Sequence, residues 1–272
     1  MRLLVFIIGA VLAAGCSRPY VIVQVADVQM GFAAAAQAGK PGEELCDDWS
    51  FESDCLRKAV AMINDICPDA VVFTGDQVNV AGSAAQWDAF EEIAGQIRPE
   101  VKVLHLPGNH DVAVRGAEVC ADEYTARCGA DRFFYEDRGV RLLGINTNLI
   151  QHSLPQEAEQ FAWLKNILEN KRGKDDVAIV FGHHPFFLND IDEPDSYFPI
   201  GQSKRRMYFD LFAANGVDAV YAGHRHATFD ADYSGIPMKT TTSAAFQIGG
   251  SKPSVRVIVV NKGQVSDELR EL

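Results

Sequence analysis

Basic residues are scarce in this 272-residue chain: 25 Lys and Arg stand against 37 Asp and Glu, a formal charge of −12. That field repels nucleic acid, which is therefore not an expected partner, and any anionic substrate must be held by a local feature that overrides it. No Cys-x2-Cys pair occurs and no Cys is followed by Arg six positions later. Zinc ribbons and the thiol-phosphatase loop are thereby excluded. After one early apolar stretch no other long apolar run follows, which excludes a multi-pass membrane protein. There is no internal repeat, low-complexity tract or Pro/Ser-rich linker, so residues 16–272 read as one domain. Hydrophobic residues make up 47% and charged residues 23%, a balance that supports a packed core and argues against disorder.

The early stretch runs from Leu3 to Ala14 behind Met1-Arg2. It is too short to cross about 30 Å of hydrocarbon but has the length of a signal-peptide apolar region. Its ending, Leu12-Ala13-Ala14-Gly15-Cys16, resembles a bacterial lipobox. That resemblance implies a lipoprotein signal peptide over residues 1–15, lipidation of Cys16, and a lipid anchor as the only membrane contact. Ser17 after the Cys resembles the outer-membrane sorting signal, which places the expected location in the bacterial cell envelope. Export permits disulfides. The spacings favour Cys46–Cys55 and Cys120–Cys128, leaving Cys67 as a single, buried small hydrophobe.

Short β-rich runs alternate with amphipathic stretches. The strands read as Tyr20–Ala26, Ala70–Thr74, Val101–Leu106, Val140–Thr147, Val177–Phe181, Ala219–Ala222 and Val255–Asn261. Helices read as Ser53–Ile66, Ala84–Ile97, Gln156–Lys171 and Lys204–Asn215. Such alternation predicts an α/β class with sheet covered by helices. Five of the apolar runs end in a turn bearing a ligand-type side chain: Asp27, Asp76, Asn109, His183 and His224. In α/β folds the carboxyl ends of strands form the ligand edge, so these five are expected to converge. Each alone is ordinary turn chemistry. Yet six of the seven histidines fall within or beside these blocks, and only His152 stands apart.

In order the blocks read Asp27-Val-Gln29, Gly75-Asp76, Gly108-Asn109-His110-Asp111, Gly182-His183-His184-Pro185 and Gly223-His224-Arg-His226. This resembles the calcineurin-like metallophosphoesterase family, whose pattern is D-x-H, G-D, G-N-H-[DE], H and G-H-x-H. The resemblance spans about residues 20 to 261. It implies a four-layer fold, a central β-sandwich flanked by helices, and two divalent ions (Mn, Mg, Fe or Zn) in a dinuclear centre. One ion would be held by Asp27, Gln29, Asp76 and His226, the other by Asp76, Asn109, His183 and His224, with Asp76 bridging. Two such ions carry +4 against −2 from Asp27 and Asp76 and −1 from a bridging hydroxide, so the site would be cationic inside an acidic protein. His110 is similar to the family's non-ligand histidine that assists the leaving group, with Asp111 either orienting its imidazole or stabilising the turn. His184 reads as a neighbour of the ligands.

Gln29 departs from the pattern, being neutral and a harder, weaker ligand than imidazole. Asn79 stands where purple acid phosphatases carry an iron-binding Tyr, so no purple chromophore is expected. The Asp-x-Gln form and residues 183–226 resemble the branch that includes an animal Ser/Thr phosphatase, which implies a small or exposed phosphate monoester as substrate. A phosphodiesterase with the same centre and a non-catalytic binding protein on the same fold are the alternatives. Residues 39–53 and 184–197 are expected to wall the pocket, and Lys204, Arg205 and Arg206 read as a solvated helix face or substrate contacts.

Overall fold

The computed structural model describes residues 18–40, 48–115, 118–170, 173 and 176–272, so the proposed signal segment with Cys16, and Cys46, lie outside the described residues. Along the chain the strands are β1 Tyr20–Val25, β2 Ala70–Thr74, β3 Lys102–Leu106, β4 Ala113–Arg115, β5 Glu118–Cys120, β6 Phe133–Asp137, β7 Val140–Gly144, β8 Val177–Phe181, β9 Ala219–Ala222, β10 Phe229–Tyr233, β11 Ile236–Thr240, β12 Ser254–Asn261 and β13 Gln264–Glu271. The helices are α1 Phe32–Gln37, α2 Ser50–Ile66, α3 Ala84–Ala94, α4 Asp122–Cys128, α5 Thr147–Gln151, α6 Glu157–Leu168 and α7 Gln202–Ala214.

Two mixed sheets result, ordered β13-β12-β1-β2-β3 and β10-β11-β9-β8-β7-β6. Strand alternation explains the layering. On β1 and β2, Val23, Val25, Val71 and Phe73 join Leu56, Val60 and Ile63 of α2 and Trp87 and Phe90 of α3 in one core. The other parity, Ile22, Ala70 and Val72, meets Ile179, Phe181 and Tyr221 of the second sheet. The far face of the second sheet, Val180 and Val220 among others, packs on Leu164 of α6 and Phe209 and Phe212 of α7. Helix, sheet, sheet, helix is the expected order. Among the described residues no helix is long and apolar enough to cross a membrane.

Each expected strand forms within about two residues of its predicted ends, except that the Val140 strand stops at Gly144 and Thr147 opens α5 instead. Asn146 ends the strand by accepting the Asn148 N–H on its side chain at 3.0 Å, an N-cap that competes with extended backbone.

Three cysteine expectations are corrected. Cys67 is exposed, not buried, because it caps α2 in the left-handed conformation (φ 48°) ahead of Pro68, which turns its side chain off the apolar stripe. Cys55 and Cys128 are free thiols. Cys55 packs on the buried side of α2 and Cys128 against the core under α3, where burial pushes both thiols up. With Cys55 and Cys128 free, the Cys46–Cys55 and Cys120–Cys128 staples are not formed; Cys46 and the side chain of Cys120 lie outside what is described.

Candidate metal centre

Backbone strain is concentrated where the ligand-type side chains emerge. Of ten non-glycine residues with positive φ among the described residues, Asp27, Gln29, Asp76, His224 and His226 are five. Left-handed backbone costs a non-glycine residue free energy, and here it follows directly on the carboxyl ends of β1, β2 and β9. Each turn aims its side chain across the sheet edge rather than along it. Gly75 (φ 94°) and Gly108 make the approach possible: a Cβ on Gly75 would lie 2.6 Å from Gly108 N, and one on Gly108 would lie 2.0 Å from Asp76 Oδ1.

The side chains meet at the edge shared by both sheets. His183 is fully buried, and its Nδ1 bonds the Thr74 carbonyl at 2.9 Å. A carbonyl only accepts, so Nδ1 carries a proton and Nε2 is the nitrogen turned to the other ligand-type side chains. That Nε2 faces Asn109 Oδ1 at 3.0 Å, His224 Nδ1 at 3.1 Å and Asp76 Oδ2 at 3.3 Å. His226 repeats the device: its Nδ1 gives its proton to the Phe246 carbonyl at 2.6 Å, and Nε2 lies 3.7 Å from Asp27 Oδ1. Asp27 is pinned by the His224 N–H, 3.0 Å from both carboxylate oxygens. Gln29 is buried and its Oε1 has no partner.

Charge distribution sharpens this. Burial raises the Asp76 carboxyl, but the His183 and His110 imidazoles outweigh it and hold it well below the usual carboxylate range. Burial opposes charge on His183 too, yet Asp76 lifts it to about 9. Asp27 is pushed up by burial, with Asp76 adding to the rise against the pull of His183. Burial brings His226 down to about 4 and His224 well below its ordinary value. An orphaned amide oxygen, two carboxylates, the buried His183 imidazole and the neutral His224 and His226 imidazoles form a converging donor set of the kind that holds a divalent cation. Asp27, Asp76 and His183, and separately His183, His184 and His224, are two groups close enough to hold an ion.

His110 stands just outside this set. Its Nδ1 bonds the Asn79 carbonyl at 2.8 Å, and it lines a cavity of about 190 Å³ with Gln29, Phe32, Asp76, Tyr197, Phe198, His224, His226 and Ile248. Asp111 does not orient it. The Asp111 carboxylate accepts the backbone N–H groups of Gln77, Val78 and Gly108 at 2.8, 3.1 and 2.8 Å, and burial lifts it to about 7. It is a turn-stabilising group, and the Asn79 carbonyl takes the orienting role expected of it.

The residues that sequence reasoning missed are mostly supports. Thr147 Oγ1 accepts the N–H groups of His183 (3.2 Å) and His184 (2.9 Å), and its own hydrogen meets His184 Nδ1 at 3.1 Å. The Phe32 ring lies tilted against His226 at 5.4 Å and edge-on to His110 at 6.0 Å between centroids. Of the expected walls, residues 41–47 lie outside the described residues, Tyr197 does line the cavity, and Phe198, one position past the expected segment, lines it too. Arg205 is neither solvated nor a substrate contact: fully buried, it donates to the carbonyls of Ile200, Ile191 and Glu193 and so fixes the segment that carries Tyr197. Only its spacing on α7, in phase with Tyr208, Phe209 and Phe212, signalled burial.

A model of the family described as calcineurin-like phosphoesterase matches residues 20–228. The chain is 28% identical over 259 residues to the serine/threonine-protein phosphatase CPPED1 of Danio rerio, covering 92% of this chain and 84% of that protein. It is 26% identical over 185 residues to a cAMP/cGMP dual specificity phosphodiesterase of Mycobacterium tuberculosis, covering 66% of this chain and 55% of the other. A solved dimetal phosphatase from Danio rerio shares the fold with a TM-score of 0.56 at 16% identity, over 93% of this chain and 99% of that one.

Proposed function

Because this chain belongs to the calcineurin-like phosphoesterase family, whose members are metal-dependent hydrolases of phosphate esters, we propose that it hydrolyses phosphate monoesters in the bacterial envelope. Asp27, Gln29, Asp76 and His226 would hold one divalent ion and Asp76, Asn109, His183 and His224 the second. The observation that carries this reading is the convergence of Asn109 Oδ1, His224 Nδ1 and Asp76 Oδ2 within 3.3 Å of His183 Nε2. The chemistry such ions would supply is to offset the negative charge of phosphoryl transfer and to activate water at neutral pH.

The chain's own residues do the rest. Thr74 and Phe246 fix the imidazole tautomers through their carbonyls. The Asn79 carbonyl holds His110 Nδ1–H, which leaves Nε2 for the departing ester oxygen, to which the imidazolium form would give its Nε2 proton and become the neutral Nδ1–H tautomer. Phe32, Phe198 and Ile248 keep the small cavity apolar around the reacting group. The monoester preference is supported by the likeness to the Danio rerio phosphatase, which extends over 92% of the chain. The diester reading is supported by the mycobacterial relative over 66%.

The envelope location rests on the Leu12–Cys16 pattern. Cys16→Ser would release the protein from membranes if it is right. For the activity, protein starting at Ser17 is stripped and reloaded with Mn²⁺, Mg²⁺, Zn²⁺ or Fe²⁺, then assayed on para-nitrophenyl phosphate and on its bis-ester. Metal-dependent turnover favouring the monoester is expected. Preference for the bis-ester selects the diesterase reading, and silence with two ions bound overturns both.

A further inference from the structure

The one histidine that stood apart from every motif returns to the cleft in three dimensions. The carboxyl end of α5 delivers Gln151 and His152 to a cavity of about 250 Å³ lined also by Asn109, His184, Tyr197 and His224. Tyr197 and His224 line the 190 Å³ lobe as well, so the two lobes flank one ring pair, 5.6 Å between centroids. In the second lobe the accepting capacity is mostly spent. His184 Nδ1 is taken by Thr147, and Asn109 Oδ1 turns to His183. The Gln151 Oε1 is buried without a partner, while His152 sits exposed at the rim. A buried acceptor left unmade costs stability that a donor on a ligand recovers. Among the described residues no Lys or Arg lines either lobe, so nothing in that lining favours a second phosphate.

Resting on the phosphoesterase reading, we propose that this lobe is a leaving-group subsite for an uncharged polyol, which makes the substrate a polyol or sugar phosphate monoester. A hydroxyl of the leaving group donates to Gln151 Oε1, a second one meets His152, and the Tyr197 ring lies against the carbon skeleton. Tyr197 is 69% exposed, which leaves its face available for that contact.

The test uses the Mn²⁺-loaded protein with glycerol 2-phosphate, glucose 6-phosphate and para-nitrophenyl phosphate, the last having no hydroxyl to donate. In Gln151→Leu the ratio of kcat/KM for either polyol ester to that for para-nitrophenyl phosphate is expected to fall about tenfold, the worth of one buried hydrogen bond, chiefly through KM. Melting temperature and bound metal should hold. His152→Ala, at an exposed position, gives a second and independent reading of the same ratio, with a fall of about threefold. An unchanged ratio in both variants, or parallel loss on all three esters, overturns the subsite. Wild-type protein inactive on para-nitrophenyl phosphate would instead overturn the phosphoesterase reading itself.

Discussion

The backbone N–H of His110 donates to Asp76 Oδ1 at 2.8 Å. The turn carrying the proposed acid is thereby fastened to the carboxylate proposed to bridge the two ions. Because Asp76 Oδ2 lies 3.3 Å from His183 Nε2, one side chain links the acid, the buried imidazole and both proposed ion positions.

Asp76→Asn is therefore expected to do more than weaken one ligand. Loss of the bridging charge should lower turnover of para-nitrophenyl phosphate on the order of a hundredfold to a thousandfold, several kcal/mol of transition-state stabilisation. Bound metal should fall from about two ions to about one. Atomic emission on dialysed protein, run beside the assay, checks both, and full activity in this variant would sink the dinuclear proposal.

Gln29 offers a neutral oxygen, buried and unpartnered. Replacing it by His supplies the softer nitrogen and should tighten the first site for Zn²⁺ about tenfold. Competition with a chromogenic chelator measures this. Equal affinity in the two proteins would mean that residue 29 holds no ion.

Thr147 serves two histidine N–H groups at once. Thr147→Val strands both in a dry setting, at about 1–3 kcal/mol each. The melting temperature should drop, and metal affinity should fall about 10–100-fold as the histidines lose their orientation. Thr147→Ser keeps the oxygen and should recover most of both quantities. A valine variant with wild-type metal affinity would remove Thr147 from the site's support.

His105 stacks on Phe73 at 5.0 Å between centroids, its Nδ1 buried without a partner, and burial brings its pKa down to about 4. The unfolded chain takes up this proton near pH 6.5, while the folded one resists until about pH 4. The unfolded state therefore binds more protons in that window, and stability is lost as pH falls from 6.5 to 4. The loss is at most about 3 kcal/mol, as each pKa unit is worth about 1.4 kcal/mol. His105→Phe keeps the stack and removes the titration. Urea melts at several pH values should show its stability rising relative to wild type as the pH drops, and a constant gap would refute the assignment.

The sequence by itself determined the order of strands and helices and the set of residues at the strand ends, because both are local. An apolar run of five residues followed by Gly-Asp or Gly-His carries its period and its breaker within about seven positions. It also determined that α2 presents Leu56, Val60 and Ile63 on one side. What it could not determine were strands such as β6 and β10, where only alternate residues are half-buried and the pairing partner supplies the order. Nor could it give the role of Asp111. A carboxylate beside a histidine can orient the ring or hold the turn, and only the N–H groups of Gln77 and Val78, brought from 34 and 33 residues away, decided for the turn. Arg205 and Thr147 were decided in the same way. Each is a polar group whose meaning depends on which partners folding brings within 3 Å, and hydrogen-bond geometry across long sequence separations leaves no mark on local pattern.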